Sequence, residues 1–127
     1  NYYEQLVRPQ GRPVRPAVRR ALDFMEANLA EPITMSDIAR HVNMSVRAIQ
    51  QGFQAELGTT PMNYLRERRL ERVREELTDA IPADGVTVTQ IAEKWGFSHL
   101  SHFAALYRKR YGESPSDTLR RGSGSPS

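Results

Sequence analysis

The chain has 127 residues, 39% of them hydrophobic and 26% charged, with no cysteine and a net charge of +3. At ~100–200 residues per domain that allows one compact domain or two very small ones, and it excludes a disulfide scaffold, a thiolate zinc site and a cysteine nucleophile. No apolar run approaches the ~20 residues of a membrane span, and Asn1-Tyr2-Tyr3-Glu4 is no signal peptide, so a cytoplasmic protein without a membrane partner is expected.

The charge is unevenly placed. Residues 1–20 carry +4, residues 21–100 carry −4 and residues 101–127 carry +3. Sixteen of the eighteen cations are arginine, the side chain suited to bidentate contacts with phosphate and guanine. Charge alone permits a nucleic-acid partner without establishing one.

Val7 to Pro16 holds three prolines and a glycine, which predicts an extended linker over residues 1–16. A chain that begins in such a linker suggests an N-terminal domain upstream. Val18, Leu22, Met25 and Leu29 then mark one face of a helix, ended by Glu31-Pro32. Thr34-Met-Ser-Asp37 can cap a second helix over about 35–42, and Asn43 suits a tight turn. A third helix is predicted over about 46–57, with Ile49 and Phe53 inward and Gly58 as its stop. Thr60-Pro61 opens a long helix to about Thr78, with Leu65, Leu70, Val73 and Leu77 buried and a solvated face of alternating Arg and Glu. Asp84-Gly85 reads as a loop. Thr87-Val-Thr-Gln90 is a capping-box pattern for a helix to about Trp95. After a turn at Gly96, a helix over about 99–111 and a last one from Pro115 follow. Residues 122–127 read as a flexible tail, either native or a cloning remnant.

The second half repeats the first. Ile38-Ala39 matches Ile91-Ala92 and Ser45 matches Ser98 at an offset of 53. Phe53 matches Tyr107, Gly58 and Thr60-Pro61 match Gly112 and Ser114-Pro115, and Leu65-Arg66 matches Leu119-Arg120 at an offset of 54. Each unit is a short capped helix, a tight turn and a longer helix, the helix-turn-helix pattern. Ile49/Phe53 and Phe103/Tyr107 pin the longer helix inward, which leaves its opposite face free.

These residues resemble the DNA-binding domain of AraC/XylS-family transcription regulators. The motifs are Ile38-Ala39, Met44-Ser45-x-Arg47-x-Ile49, Phe53 and Gly58-x-Thr60-Pro61. In the second unit they are Ile91-Ala92, Trp95-Gly96-Phe97, Ser101-x-Phe103, Tyr107-Arg108-Lys109 and Gly112-x-Ser114-Pro115. The resemblance implies an all-α fold of about seven helices, two helix-turn-helix subdomains (17–59 and 80–121) joined by a long linker helix (60–79). It implies that the later helix of each unit lies in a DNA major groove, and that many members carry a separate N-terminal effector-binding or dimerisation domain. A central helix on the order of 27 Å, with the width of the units, brings the ~34 Å spacing of successive major grooves within reach. The site expected is asymmetric, in two blocks ~10 bp apart.

The first recognition helix offers Arg47, Gln50, Gln51 and Gln54 to bases, with Arg47 suited to guanine and Gln50 or Gln51 to adenine. Gln51 stands where the family often has Arg. The second offers His99, Leu100, Ser101 and His102, and Ala105 stands where the family often has Arg, so weaker base reading is expected there. Arg108 and Lys109, with Thr34, Ser36, Thr87 and Thr89 at helix starts, are phosphate candidates. Arg12, Arg15, Arg19 and Arg20 read as solvated linker or as flanking DNA contacts. His99 and His102 have metal-like spacing but no third ligand, and Glu75-Glu76 point to different faces, so neither a metal, a cofactor nor an enzyme is expected. Double-stranded DNA is the expected partner, with RNA polymerase a further candidate and an effector reserved for the absent domain. The other reading is a helical protein-interaction module that has lost DNA readout, to which the acidic middle and Ala105 give weight.

Overall fold

The computed structural model describes residues 14–124. Their elements are α1 (Pro16–Ala27), α2 (Met35–Val42), α3 (Val46–Leu57), α4 (Pro61–Asp79), a 3-10 turn (Pro82–Asp84), α5 (Val88–Lys94), α6 (Leu100–Tyr111) and α7 (Pro115–Gly124). The regular structure among the described residues is thus entirely helical, with the seven helices expected.

Local chemistry sets the boundaries. Thr34 and Thr87 each accept the N–H three residues on, from Asp37 and Gln90, whose side chains accept the threonine N–H in return. These are complete capping boxes. Asn43 closes α2 at φ 58°, and Gly96 follows α5 at φ 92°. Ser45 caps α3, while Thr60 and Ser114 cap α4 and α7 ahead of their first-turn prolines.

Two features differ from expectation. α1 ends at Ala27, before Glu31-Pro32, because Asn28 turns its side-chain amide back to the Phe24 carbonyl at 2.9 Å. Leu29 is still buried, but beyond the helix. The 3-10 turn at Pro82–Asp84 stands in what reads as plain loop.

The chain divides into two compact units between Arg66 and Glu67, inside α4. α4 occupies the span of the expected linker helix 60–79, and the division falls within it. Its first turns give Pro61, Tyr64 and Leu65 to the first unit. Its later turns give Leu70, Val73 and Leu77 to the second.

In the first unit α1, α2 and α3 pack on one another, burying Val18, Leu22, Met25, Ile38, Val42, Ile49 and Phe53. The Phe53 and Tyr64 rings meet edge-on at 6.2 Å. In the second unit Leu70, Val73, Leu77, Ile91, Ala92, Phe103 and Tyr107 form the core, flanked by half-buried Trp95, Phe97 and Leu106. Trp95 also donates its indole N–H to Glu76 at 2.8 Å.

Both chain ends enter the fold further than expected. Val14 is buried and Arg15 is hydrogen-bonded, so the linker assigned to 1–16 stops short of them; residues 1–13, Arg12 included, lie outside the described residues. At the other end Gly122 is helical. A Cβ there would stand 2.6 Å from the Thr78 carbonyl oxygen and 2.8 Å from its Cα. Of the tail assigned to 122–127, residues 125–127 lie outside the described residues.

The face of α4 is less solvated than its alternating charges suggest. Arg68 is only 7% exposed and pairs with Glu71, and Arg69 lies beside Gly96, where burial lowers its pKa. Aliphatic stems of arginine can cover apolar surface while the head finds a partner.

Candidate nucleic-acid interface

Helix α3 turns Ile49 and Phe53 inward and presents Arg47, Gln50, Gln51 and Gln54 outward, all four exposed. Arg47, Gln51 and Gln54 follow one another at i, i+4 and i+7, a straight line along the helix. Gln50 flanks that line. Arg47 makes no ion pair with the described residues.

Most other cations are engaged. Arg40 pairs with Asp37, Arg72 with Glu75, Lys94 with Glu76, Arg110 with Glu67, and Arg120 with Asp117. Arg74 and Arg121 both reach Glu113. Arg47 is thus a cation that the fold leaves available.

Helix α6 turns Phe103 and Tyr107 inward. His99, Ser101 and His102 are exposed, and Leu100 is 38% exposed. His99 is the N-cap, but its side chain makes no capping hydrogen bond. The line equivalent to Arg47, Gln51 and Gln54, at the 54-residue offset, is Ser101, Ala105 and Arg108. It holds one hydroxyl and one methyl where α3 holds a guanidinium and an amide. Arg108 and Lys109 are exposed in the last turn, where cations also suit the helix dipole.

The helix-start candidates are exposed but partly committed. Thr34 and Thr87 use both backbone N–H and hydroxyl oxygen in their own capping boxes, which leaves only the hydroxyl proton to donate. Ser36 and Thr89 keep exposed side chains. The boxes differ in charge: Asp37 places a carboxylate at the start of α2, whereas Gln90 is neutral. The Thr34 hydrogen bonds hold Asp37 below its ordinary pKa, so the charge persists at neutral pH. It opposes a phosphate at that helix start.

Sequence reading missed the side chains that hold these helices in place. Glu56 accepts the Arg15 N–H at 2.8 Å, and Arg110 donates to Glu67 at 2.9 Å. Phe24 stacks on His41 at 4.3 Å. The partners are 17 to 43 residues apart, beyond any local motif. Among the described residues no group of three His, Asp or Glu side chains is arranged for a metal, and no helix is long and apolar enough to cross a membrane.

Comparison with known proteins identifies the family and the fold. Residues 38–121 match the family described as a helix-turn-helix domain. The chain is 44% identical over 121 residues to the "Probable thc operon regulatory protein" of Rhodococcus erythropolis, covering 94% of this chain and 36% of that protein. It thus spans about a third of that relative's length. Among solved structures, "a probable AraC family transcriptional regulator" from Rhodopseudomonas palustris CGA009 is 39% identical at a TM-score of 0.79, covering 86% of this chain and 99% of that one. The DNA-binding domain of AdpA, "the global transcriptional factor, in complex with a target DNA", shares the fold at a TM-score of 0.72 and 19% identity, covering 84% and 92%. The chain belongs to the AraC family of helix-turn-helix transcription regulators, of which it carries the DNA-binding domain. That family regulates transcription by binding DNA and is not one of enzymes.

Proposed function

We propose that the chain reads an asymmetric duplex site in two blocks about one helical turn apart. Helix α3 reads one block through Arg47, Gln50, Gln51 and Gln54. Helix α6 reads the other more weakly, through His99, Leu100, Ser101 and His102. The observation that carries this is the exposed line Arg47-Gln51-Gln54, polar throughout and led by an arginine outside any ion pair among the described residues. Arginine and glutamine are the side chains whose forked geometry matches guanine and adenine edges in the major groove. The AdpA domain, in complex with a target DNA, shares this fold.

Arg108 and Lys109, with Thr89 and the Thr87 hydroxyl at the neutral start of α5, serve phosphates and set the register; Ser36 and the Thr34 hydroxyl contribute less, against the Asp37 charge. Regulation by an effector would belong to a further domain, for which a relative of which this chain covers 36% gives room. A cytoplasmic location and contact with RNA polymerase belong to the same reading.

Binding of the chain and its Arg47→Ala variant to a panel of duplexes tests the reading. Loss of about 1–3 kcal/mol on the best site, with relaxed preference at one base position, supports it. Equal loss on every duplex sinks the base-reading role of Arg47.

A further inference from the structure

The geometry points to Glu56 as a positioning residue for DNA readout: by holding the backbone N–H of Arg15, its carboxylate fixes α3 against the first turn of α1. This rests on the reading of α3 as a base-contacting helix.

Glu56 sits in the last turn of α3 and is 2% exposed. A carboxylate so placed needs compensating hydrogen bonds. One oxygen accepts the Arg15 N–H at 2.8 Å, and the other lies 3.9 Å from the Arg15 Nε. Arg15 is the N-cap of α1, and its side chain supplies no cap. In a capping box the third helical residue would accept that N–H, but here it is Val18. The missing acceptor comes instead from another helix. It also sets a negative charge where the dipole of α1 favours one.

Gly52, one turn before Glu56, faces the same helix. A Cβ there would stand 3.2 Å from Val18 Cγ2, so α1 and α3 approach closely at this level. Gly52 and Glu56 form a stripe along α3, away from the line Arg47-Gln51-Gln54. A roll of α3 that moved Arg47 off a base edge would break the Glu56–Arg15 bond. The second unit clasps its own later helix at the equivalent turn: Arg110, 54 residues after Glu56, donates to Glu67 of α4 at 2.9 Å. The charges are reversed, while the placement is kept.

Two pairs of variants isolate the hydrogen bond. Glu56→Gln keeps an acceptor and Glu56→Ala removes it. Arg15→Ala keeps the N–H and Arg15→Pro removes it; Arg15 has φ −66° and ψ 153°, values that suit a proline followed by Pro16. The intact chain and each variant are bound to the duplex the chain selects from a random pool, and to versions with either block scrambled. Block one is the block whose preference Arg47→Ala disturbs. Glu56→Ala and Arg15→Pro are expected to lose about tenfold of the block-one preference, with the block-two footprint and far-UV circular dichroism unchanged. Glu56→Gln and Arg15→Ala are expected to stay within about twofold of the parent. Retention of full block-one preference by Glu56→Ala and Arg15→Pro overturns the proposal. So does an equal loss in Glu56→Gln, which would assign the effect to charge instead of the held N–H. A parent chain indifferent to scrambling of either block overturns the DNA reading itself, and this proposal with it.

Discussion

Tyr107 of α6 donates its hydroxyl proton to the hydroxyl of Thr118 in α7 at 2.8 Å, deep in the second unit. Thr118 in turn donates to Glu113, and the Arg74 guanidinium lies 3.7 Å from the same carboxylate. One polar chain thus links α4, α6 and α7 beside an apolar core. Tyr107→Phe keeps the ring packing and removes both the Thr118 bond and the 3.4 Å bond that the hydroxyl accepts from Arg74. It is expected to cost about 1–2 kcal/mol, because Thr118 loses a buried donor. Urea unfolding of the variant checks this, and an unchanged midpoint would remove the chain of hydrogen bonds from the account.

The same network predicts acid sensitivity. The Thr118 hydrogen bond, then that of Arg121, holds the Glu113 carboxyl below its ordinary pKa, and the Ser114 hydrogen bonds do so for Asp117. A carboxyl with a depressed folded-state pKa stabilises the fold above its unfolded pKa. That contribution is lost as pH falls through the folded value. The midpoint of thermal unfolding should therefore fall below about pH 4.5, where unfolded carboxyls begin to bind protons. Glu113→Gln should lower the midpoint at pH 7 and flatten its acid limb. An acid limb as steep as the parent's would show that Glu113 contributes nothing to it.

Gly122 has its missing side chain aimed at the backbone of Thr78. In an exposed helical position alanine would gain up to about 1 kcal/mol over glycine. Here a methyl cannot fit without moving α7 from the end of α4, so Gly122→Ala is expected to destabilise by about 1–3 kcal/mol. Denaturant titration reads the sign directly, and a stabilised variant would mean that α7 ends before Gly122.

The turns before α3 and α6 make a contrasting pair. Asn43 holds φ 58° and Gly96 holds φ 92°. Asn43→Gly should be nearly neutral, while Asn43→Ala and Gly96→Ala should each cost about 1–2 kcal/mol through backbone strain. Differential scanning calorimetry of the three variants tests this order.

For DNA affinity, Lys109→Ala should weaken all sequences alike and reduce the slope of log affinity against log salt by about 1. Titration against one duplex at several salt concentrations measures it. A change in base preference without a change in slope would move Lys109 from phosphate to base.

Much of this was legible in the residues. The apolar stripes, capping patterns and duplicated Gly-x-Thr/Ser-Pro stops placed all seven helices, because those signals are local and repeat. The buried stripe Leu65, Leu70, Val73 and Leu77 is legible in the same way. What failed to show were pairings across sequence distance. Nothing near Glu56 announces Arg15, and nothing near Arg110 announces Glu67. Gly122 looked like tail, since a glycine chosen for close backbone approach has the same letter as one chosen for freedom. Arg68 looked solvated, since burial on a charged helix depends on what packs there.

Two-block readout is tested most simply by selection of binding sites by the chain from a random duplex pool at two salt concentrations. An asymmetric site with two blocks about one helical turn apart, better discriminated at the block read by Arg47, is the predicted result. Failure to enrich any sequence at either salt concentration would contradict the claim.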